Sequence, residues 1–212
     1  NQTGKDTPKR IKFLQQMDQK AIDIIPTRWS SRKLMKDKSD PTESTLNYYQ
    51  TNSESFIENT VNVDVNDLYR PFLENMPSTG KILDAGCGSG RDTKFFLEKG
   101  FSVVAFDNSP NMVRHAAELT GQEVLLMSFE DIEFKDNFDG IWACASVLHV
   151  PENNISSVLS KFTDALKDDG ILYTSFKYGD GEQIRNGRFF ADYTEERFDQ
   201  LLAAITKLEL IQ

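Results

Sequence analysis

The sequence predicts an α/β fold: a mostly parallel sheet with helices on both faces. Three observations carry this. From Lys81 onward, short apolar runs alternate with amphipathic segments, the pattern of strands joined by crossover helices. Two of those runs end in an acid, Asp84 and Asp107. Glycines at alternate positions, Gly86, Gly88 and Gly90, follow the first acid, where a strand has to turn sharply into a helix.

The elements follow in order. Ile11, Phe13, Leu14, Met17, Ala21, Ile22 and Ile25 have roughly helical spacing, so residues 8–25 read as a helix ended by Pro26. The polar stretch 27–45 contains the turn signal Ser39-Asp40-Pro41. Residues 1–45 therefore read as a basic appendage of helix and linker, or as the edge of a neighbouring module, and residues 46–212 as the main domain. Helices are expected over Thr45–Asn59 and Asp64–Met76. Strands are expected at Ile82–Leu83, Phe101–Phe106, Val124–Met127, Phe138–Ala145 and Ile171–Phe176. The helices between them are Arg91–Lys99, Pro110–Leu119 with proline in its first turn, and Glu152–Lys167. Thr194–Ile205 opens with a Thr cap and two glutamates, a good helix start, and Leu208–Ile211 begins another strand. In such a sheet ligands sit beyond the carboxyl ends of the strands. Asp84, Asp107, residues 128–131 and residues 144–146 would share that rim.

Composition bounds the function. The chain has 212 residues, 39% hydrophobic with 15 Phe, enough for a packed α/β core. Neither a membrane-spanning apolar run nor a signal-peptide pattern is seen. Cys87 and Cys144 are the two cysteines and His115 and His149 the two histidines, which fits a reducing compartment, read as the cytoplasm, and no metal centre. The net charge of −9 disfavours a surface wholly devoted to nucleic acid, although the charge is uneven. Residues 1–45 are net basic and the remainder strongly acidic, so the arm is a solvated extension or a contact for an acidic partner.

The glycine motif narrows the ligand. A dinucleotide fingerprint, Gly-x-Gly-x-x-Gly, needs its third glycine where Arg91 or Thr93 stands. The run is instead Asp84-Ala85-Gly86-Cys87-Gly88-Ser89-Gly90. An acid ahead of such a loop suits a ligand with an ammonium group, and Asp107, ending the next strand, can accept both hydroxyls of a ribose. Strand, acid, alternating glycines, helix, strand and acid together point to S-adenosylmethionine (SAM) rather than to a nicotinamide dinucleotide.

These residues resemble the class I SAM-dependent methyltransferases, with a Rossmann-like sheet, and most closely the small bacterial tellurite-resistance type. The matching stretches are Leu83–Asp92, Ala105–Asp107 and Phe138–Pro151, with Leu166-Lys167-Asp168-Asp169-Gly170 where the family often has Leu-Lys-Pro-Gly-Gly. The resemblance implies that Asp84, Gly86, Cys87, Gly88 and Arg91 surround the methionine end of SAM. Asp107 would hold the ribose, and Asn108 and Met112 would border the adenine. Phe129 and Glu130 would cover the adenine ring and its amino group, Ala143 would lie with Cys144 and Ala145 under the sulfonium, and Tyr49 (or Tyr48) would reach over the cofactor. Ser128 stands where many relatives carry Asp. The family usually closes with a β-hairpin, so the last strand is expected to be missing from this chain, which reads as part of a longer polypeptide.

Methyl transfer from a sulfonium is an in-line displacement, so the protein supplies proximity and a dry pocket. His149, after the fourth of these strands, is either a general base or a rim-packing residue. Cys144 reads as a small buried residue rather than a nucleophile. Tyr178, Arg188 and Phe189 are the candidate acceptor contacts: Phe176–Gly181 and the aromatics and arginines after it suit a lid, and Arg188 suits an anionic acceptor. Phe189 and Phe190 read equally well as core. The leading function is methylation of a small-molecule acceptor. Its alternatives are a methyltransferase module acting on protein or nucleic acid presented through residues 1–45, and a SAM-binding scaffold without turnover. Ala143-Cys144-Ala145-Ser146 lacks the proline-rich run expected of a DNA amino-methylating enzyme, whereas RNA and protein acceptors stay open. No membrane partner is expected.

Overall fold

The computed structural model describes residues 11–16, 41–203, 205 and 208–211. A seven-stranded sheet is built from β1 (Ile11–Gln16), β2 (Lys81–Ala85), β3 (Ser102–Asp107), β4 (Leu125–Leu126), β5 (Phe138–Ala143), β6 (Leu166–Ser175) and β9 (Leu208–Ile211). Their spatial order is β4-β3-β2-β5-β6-β1-β9, and every pairing is parallel. The helices are α1 (Pro41–Thr51), α2 (Ser53–Thr60), α3 (Asn66–Glu74), α4 (Arg91–Glu98), α5 (Pro110–Thr120), α6 (Glu152–Ala165) and α7 (Glu195–Ala203). A two-stranded antiparallel ribbon, β7 (Gly181–Arg185) and β8 (Arg188–Asp192), stands apart from the sheet.

The central strands β2, β5 and β6 are largely buried on both faces, so they read as apolar runs, and successive residues still part to opposite sides. Leu83, Phe106, Ile141 and Leu172 join one core with α6, the ribbon and α7. Ile82, Trp142, Ile171 and Tyr173 join the other with α3 and α4. The second core is rich in rings: Tyr69 stacks on Phe95 at 3.8 Å and Trp142 on Tyr173 at 4.0 Å. The expected layering, helices on both faces of a parallel sheet, is the one observed.

Three expectations change. Residues 11–16, taken as helical, form a strand; over six residues Ile11 and Phe13 satisfy a period of two as well as a helical one, and pairing along both edges selects the strand. The rest of the expected helix lies outside the described residues. β1 also brings an unexpected strand into the sheet, between β6 and β9, while no strand follows β9 among the described residues. The single helix expected over Thr45–Asn59 is two, parted at Asn52.

Candidate functional site

The carboxyl ends of β2, β3, β4 and β5 converge on one cavity of about 220 Å³, roofed by α1 and α2 and walled by the ribbon. At its base the chain leaves β2 through Gly86, whose φ is +77° and whose added Cβ would stand 2.6 Å from the Ser146 Cβ. Only glycine fits this turn. The Gly86 and Cys87 N–H groups both donate to the Phe106 carbonyl, at 3.0 and 2.9 Å, which holds the loop against the end of β3. Gly90, at φ +82° with Ala116 Cα 2.9 Å from any Cβ, lets α4 start close against α5.

Asp107 ends β3 with its carboxylate already oriented. Its Oδ2 accepts the Gly88 N–H at 2.9 Å and its Oδ1 the Ser109 N–H at 2.8 Å. Burial raises its pKa and these backbone donors oppose the rise. A carboxylate has more acceptor sites than these two bonds use, and Asp107 lines the cavity, so it can accept the hydroxyls of a vicinal diol. Around it stand Asn108, Met112, Phe129 and Glu130. Phe129 is fixed edge-on by Phe106 and Phe162. Asp131 accepts the Ser128 N–H and hydroxyl at 2.9 and 2.7 Å, closing the short turn that carries Phe129 and Glu130. These residues fit an adenosine: a diol acceptor, two apolar walls and a polar edge.

Gly86, Cys87, Gly88 and Arg91 line the same cavity, and Asp84 does not. Asp84 is turned beneath the loop, 2% exposed, accepting the Thr93 hydroxyl at 2.5 Å. Burial, reinforced by the charge of Asp92, pushes its pKa up. Its visible work is to tie β2 to the start of α4. Arg91 is engaged by Asp92, whose oxygens also accept the Tyr69 hydroxyl at 2.5 Å and the Trp142 indole N–H at 2.8 Å.

Tyr49 hangs from α1 into the cavity and meets His149, from the turn after β5. His149 Nδ1 lies 2.6 Å from the Phe189 carbonyl, and a carbonyl can only accept, so Nδ1 carries the proton. Nε2 then accepts the Tyr49 O–H at 2.9 Å. Burial, together with the nearby charges of Arg188, Lys177 and Arg185, lowers the His149 pKa to about 3 against the opposing pull of the Phe189 carbonyl. The ring is neutral at pH 7, with a fixed tautomer.

The acceptor side of the site differs from expectation. Phe176–Tyr193 is no open lid: it carries the ribbon, turned at Asn186-Gly187 with φ of +51° and +80°. This is the backbone of a tight hairpin turn. Arg188 and Phe190, two apart on β8, line the cavity, while Phe189 between them packs into the core and offers only its carbonyl to His149. Tyr178 is 55% exposed and does not line the cavity. Ala143 is fully buried within β5, and the surface expected of it is made by Cys144, Ala145 and Ser146. Ala145 holds a φ of +49°, with its N–H donated to Ser175 Oγ at 2.7 Å, and Ser146 Oγ donates to the Ala85 carbonyl at 2.6 Å. Burial pushes the Cys144 thiol up to about 12, which leaves it un-ionised.

Sequence reasoning did not single out Leu46 and Phe56, and it placed Ser146 on the rim and left Phe190 between lid and core. The Asn-Gly pair was the available signal for Phe190: it sets the hairpin register, after which period two puts Phe190 beside Arg188. His115, expected to be uninvolved, donates from Nδ1 to the Ser89 carbonyl at 3.0 Å and so steadies the glycine loop.

Comparison with known proteins agrees with this geometry. Residues 82–170 match a family model described as a methyltransferase domain. A protein of Staphylococcus carnosus named an uncharacterized methyltransferase is 34% identical over 125 residues, 57% of this chain and 60% of its own length. The 2-methyl-6-phytyl-1,4-hydroquinone methyltransferase of Synechocystis is 29% identical over 106 residues, 47% of this chain and 33% of its own. The chain thus spans well under two thirds of these relatives. Among solved structures, the Burkholderia thailandensis 1,6-didemethyltoxoflavin-N1-methyltransferase, with S-adenosylhomocysteine bound, superposes with a TM-score of 0.62 at 19% identity, over 81% of each chain. That likeness establishes the fold, a Rossmann-like methyltransferase sheet. No helix among the described residues is long and apolar enough to cross a membrane.

Proposed function

We propose that the protein, whose residues 82–170 match a methyltransferase domain, transfers the methyl group of SAM to a small-molecule acceptor. The observation that carries the proposal is Asp107. Its two oxygens are pre-set by backbone N–H groups at the end of β3, inside a cavity that also has an apolar end and a glycine loop. Bound SAM supplies a methyl group already activated on a sulfonium. The chain's residues supply the rest. Asp107 would hold the ribose, Met112 and Phe129 the adenine, and the Gly86–Gly88 backbone with Cys87 and Arg91 the methionine end. Leu46, Tyr49 and Phe56 close the roof, which excludes water from the reacting atoms.

The small-molecule reading is supported by this roof and by the ribbon wall, which leave an enclosed cleft. It agrees with the acceptors named for the Synechocystis and Burkholderia proteins. His149 does little as a direct base in this reading. Its basic nitrogen is occupied by Tyr49, so a proton from an acceptor would reach Nε2 only through the Tyr49 oxygen. Resemblance over Leu83–Asp92 and Phe138–Pro151 supports placement near the tellurite-resistance type, and two free cysteines support a reducing cytoplasm. A second reading rests on the net basic charge of residues 1–45: that segment would present a protein or nucleic-acid acceptor, with β1 as its docked part.

Calorimetry with SAM and S-adenosylhomocysteine tests the proposal. Micromolar binding is expected. Asp107→Ala removes a charged acceptor and should cost roughly 1.5–3 kcal/mol, about tenfold or more in affinity. A folded chain that binds neither ligand, or binds them equally well without the Asp107 carboxylate, contradicts it.

A further inference from the structure

Arg188 is the charged group in the cavity wall that the cofactor reading does not use. It is 5% exposed, and its Nε and Nη1 are buried with no hydrogen-bond partner among the described residues. The guanidinium lies 4.6 Å from the Tyr48 ring centre and 5.2 Å from that of Phe190. Those ring faces cushion the cation but accept no hydrogen bond comparable to an oxygen's. A buried guanidinium left in this state is costly unless something completes it.

The cavity wall offers Arg188 no acid of the same ribbon. Asp192 accepts from Arg185 and from Gln183 through Oδ2, keeps Oδ1 buried without a partner among the described residues, and does not line the cavity. Asp107 is held by Gly88 and Ser109 at the cofactor end. Lys177 and Arg185 also lie over the Phe190 ring, at 5.0 and 4.7 Å, so this wall carries a positive field. The other neighbours of the guanidinium are the rings of Tyr48 and Phe190 and the hydroxyl of Tyr49, which it also engages. Arginine is the side chain suited to a planar oxyanion, and rings suit an apolar body attached to it.

We propose that the acceptor is a small carboxylic acid with an apolar body, and that its carboxylate docks on Arg188 between Tyr48 and Phe190. This rests on the methyltransferase reading and adds the acceptor's class to it. The carboxylate supplies an acceptor on the edge of the guanidinium where Nε or Nη1 lacks one.

The test uses the chain saturated with S-adenosylhomocysteine. Benzoate, phenylacetate, cinnamate and hexanoate are titrated by calorimetry, each against its uncharged amide. At least one acid should bind about tenfold or more tightly than its amide. Arg188→Gln should erase that preference, and Arg188→Lys should keep part of it, since a point charge remains. Binding of S-adenosylhomocysteine by each variant reports that it is folded. Acids that bind no better than amides to the unaltered chain overturn the proposal without recourse to any variant. So does a folded R188Q that keeps the preference. Failure of S-adenosylhomocysteine itself to bind sinks the methyltransferase reading instead, and this inference with it.

Discussion

The His149 ring is read through its neighbours rather than through its own chemistry. One nitrogen is held protonated by the Phe189 carbonyl, and the other receives the Tyr49 hydroxyl. The Tyr49 bond needs the neutral form and the Phe189 bond favours the charged one, but burial, the larger effect, resists the charge. Its folded pKa is depressed from the ordinary 6.5 to about 3. Between those values the folded chain binds fewer protons than the unfolded chain. The stability it contributes is therefore complete above about pH 6.5 and is lost as pH falls toward 3. Denaturant midpoints should fall between neutrality and about pH 4, and fall less steeply for His149→Gln. The rate of methyl transfer should show no break from His149 near 6.5, since that ring stays neutral there. A clear inflection at that pH would mean the ring is charged and solvated. Asp84 and Asp107 teach a related lesson: both end strands beside the glycine loop, but Asp107 faces the cavity and Asp84 faces Thr93. Identical residue types at matching strand ends acquire different roles from what the next turn places around them.

Among the elements, β1 has the largest consequence per residue. It pairs with five residues of β6 on one side and four of β9 on the other. Without it β6 would present an unpaired edge and β9 would lose the neighbour that joins it to the sheet. Removing residues 1–16 should speed hydrogen exchange by at least about tenfold at those amides of Ile171–Ser175 that point toward β1. Unchanged protection there would show that the strand contributes nothing to the sheet. The ribbon is the other element that matters. Its Asn186-Gly187 turn reverses the chain so that Arg188 and Phe190 face the cavity while the Phe189 carbonyl faces His149. Three successive residues thereby serve three purposes, which a loop of the same sequence would not do.

For the whole molecule, ligand binding and folding are linked, because the cavity exists only where β2, β3, β4, β5, α1 and the ribbon are assembled. A ligand at a hundred times its Kd adds about 2.7 kcal/mol to the folded state. For a chain of this size that raises the melting temperature by roughly 5–10 °C. S-adenosylhomocysteine should produce such a shift by differential scanning calorimetry, and Asp107→Ala should shrink it at the same concentration. The charge distribution acts on the same scale: the chain carries −9 overall, yet the wall around Phe190 gathers Lys177, Arg185 and Arg188. A local positive field in an acidic protein concentrates small anions at one place.

What the sequence determined by itself was local. Alternating apolar runs specify parallel strands because both faces of the sheet are buried, and Gly86, Gly88 and Gly90 specify the loop because their backbone angles exclude side chains. Asp107 was legible as a candidate because it ends the strand that follows the glycine loop and its helix. The tertiary structure alone decided the rest. Whether 11–16 is helix or strand depends on two edges more than 150 residues away in sequence. Whether Arg188 or Phe189 faces the cavity depends on the register of a hairpin, and the state of His149 on a tyrosine and a carbonyl from two other elements. Those choices are made by long-range pairing and burial, which leave no periodic trace in the chain.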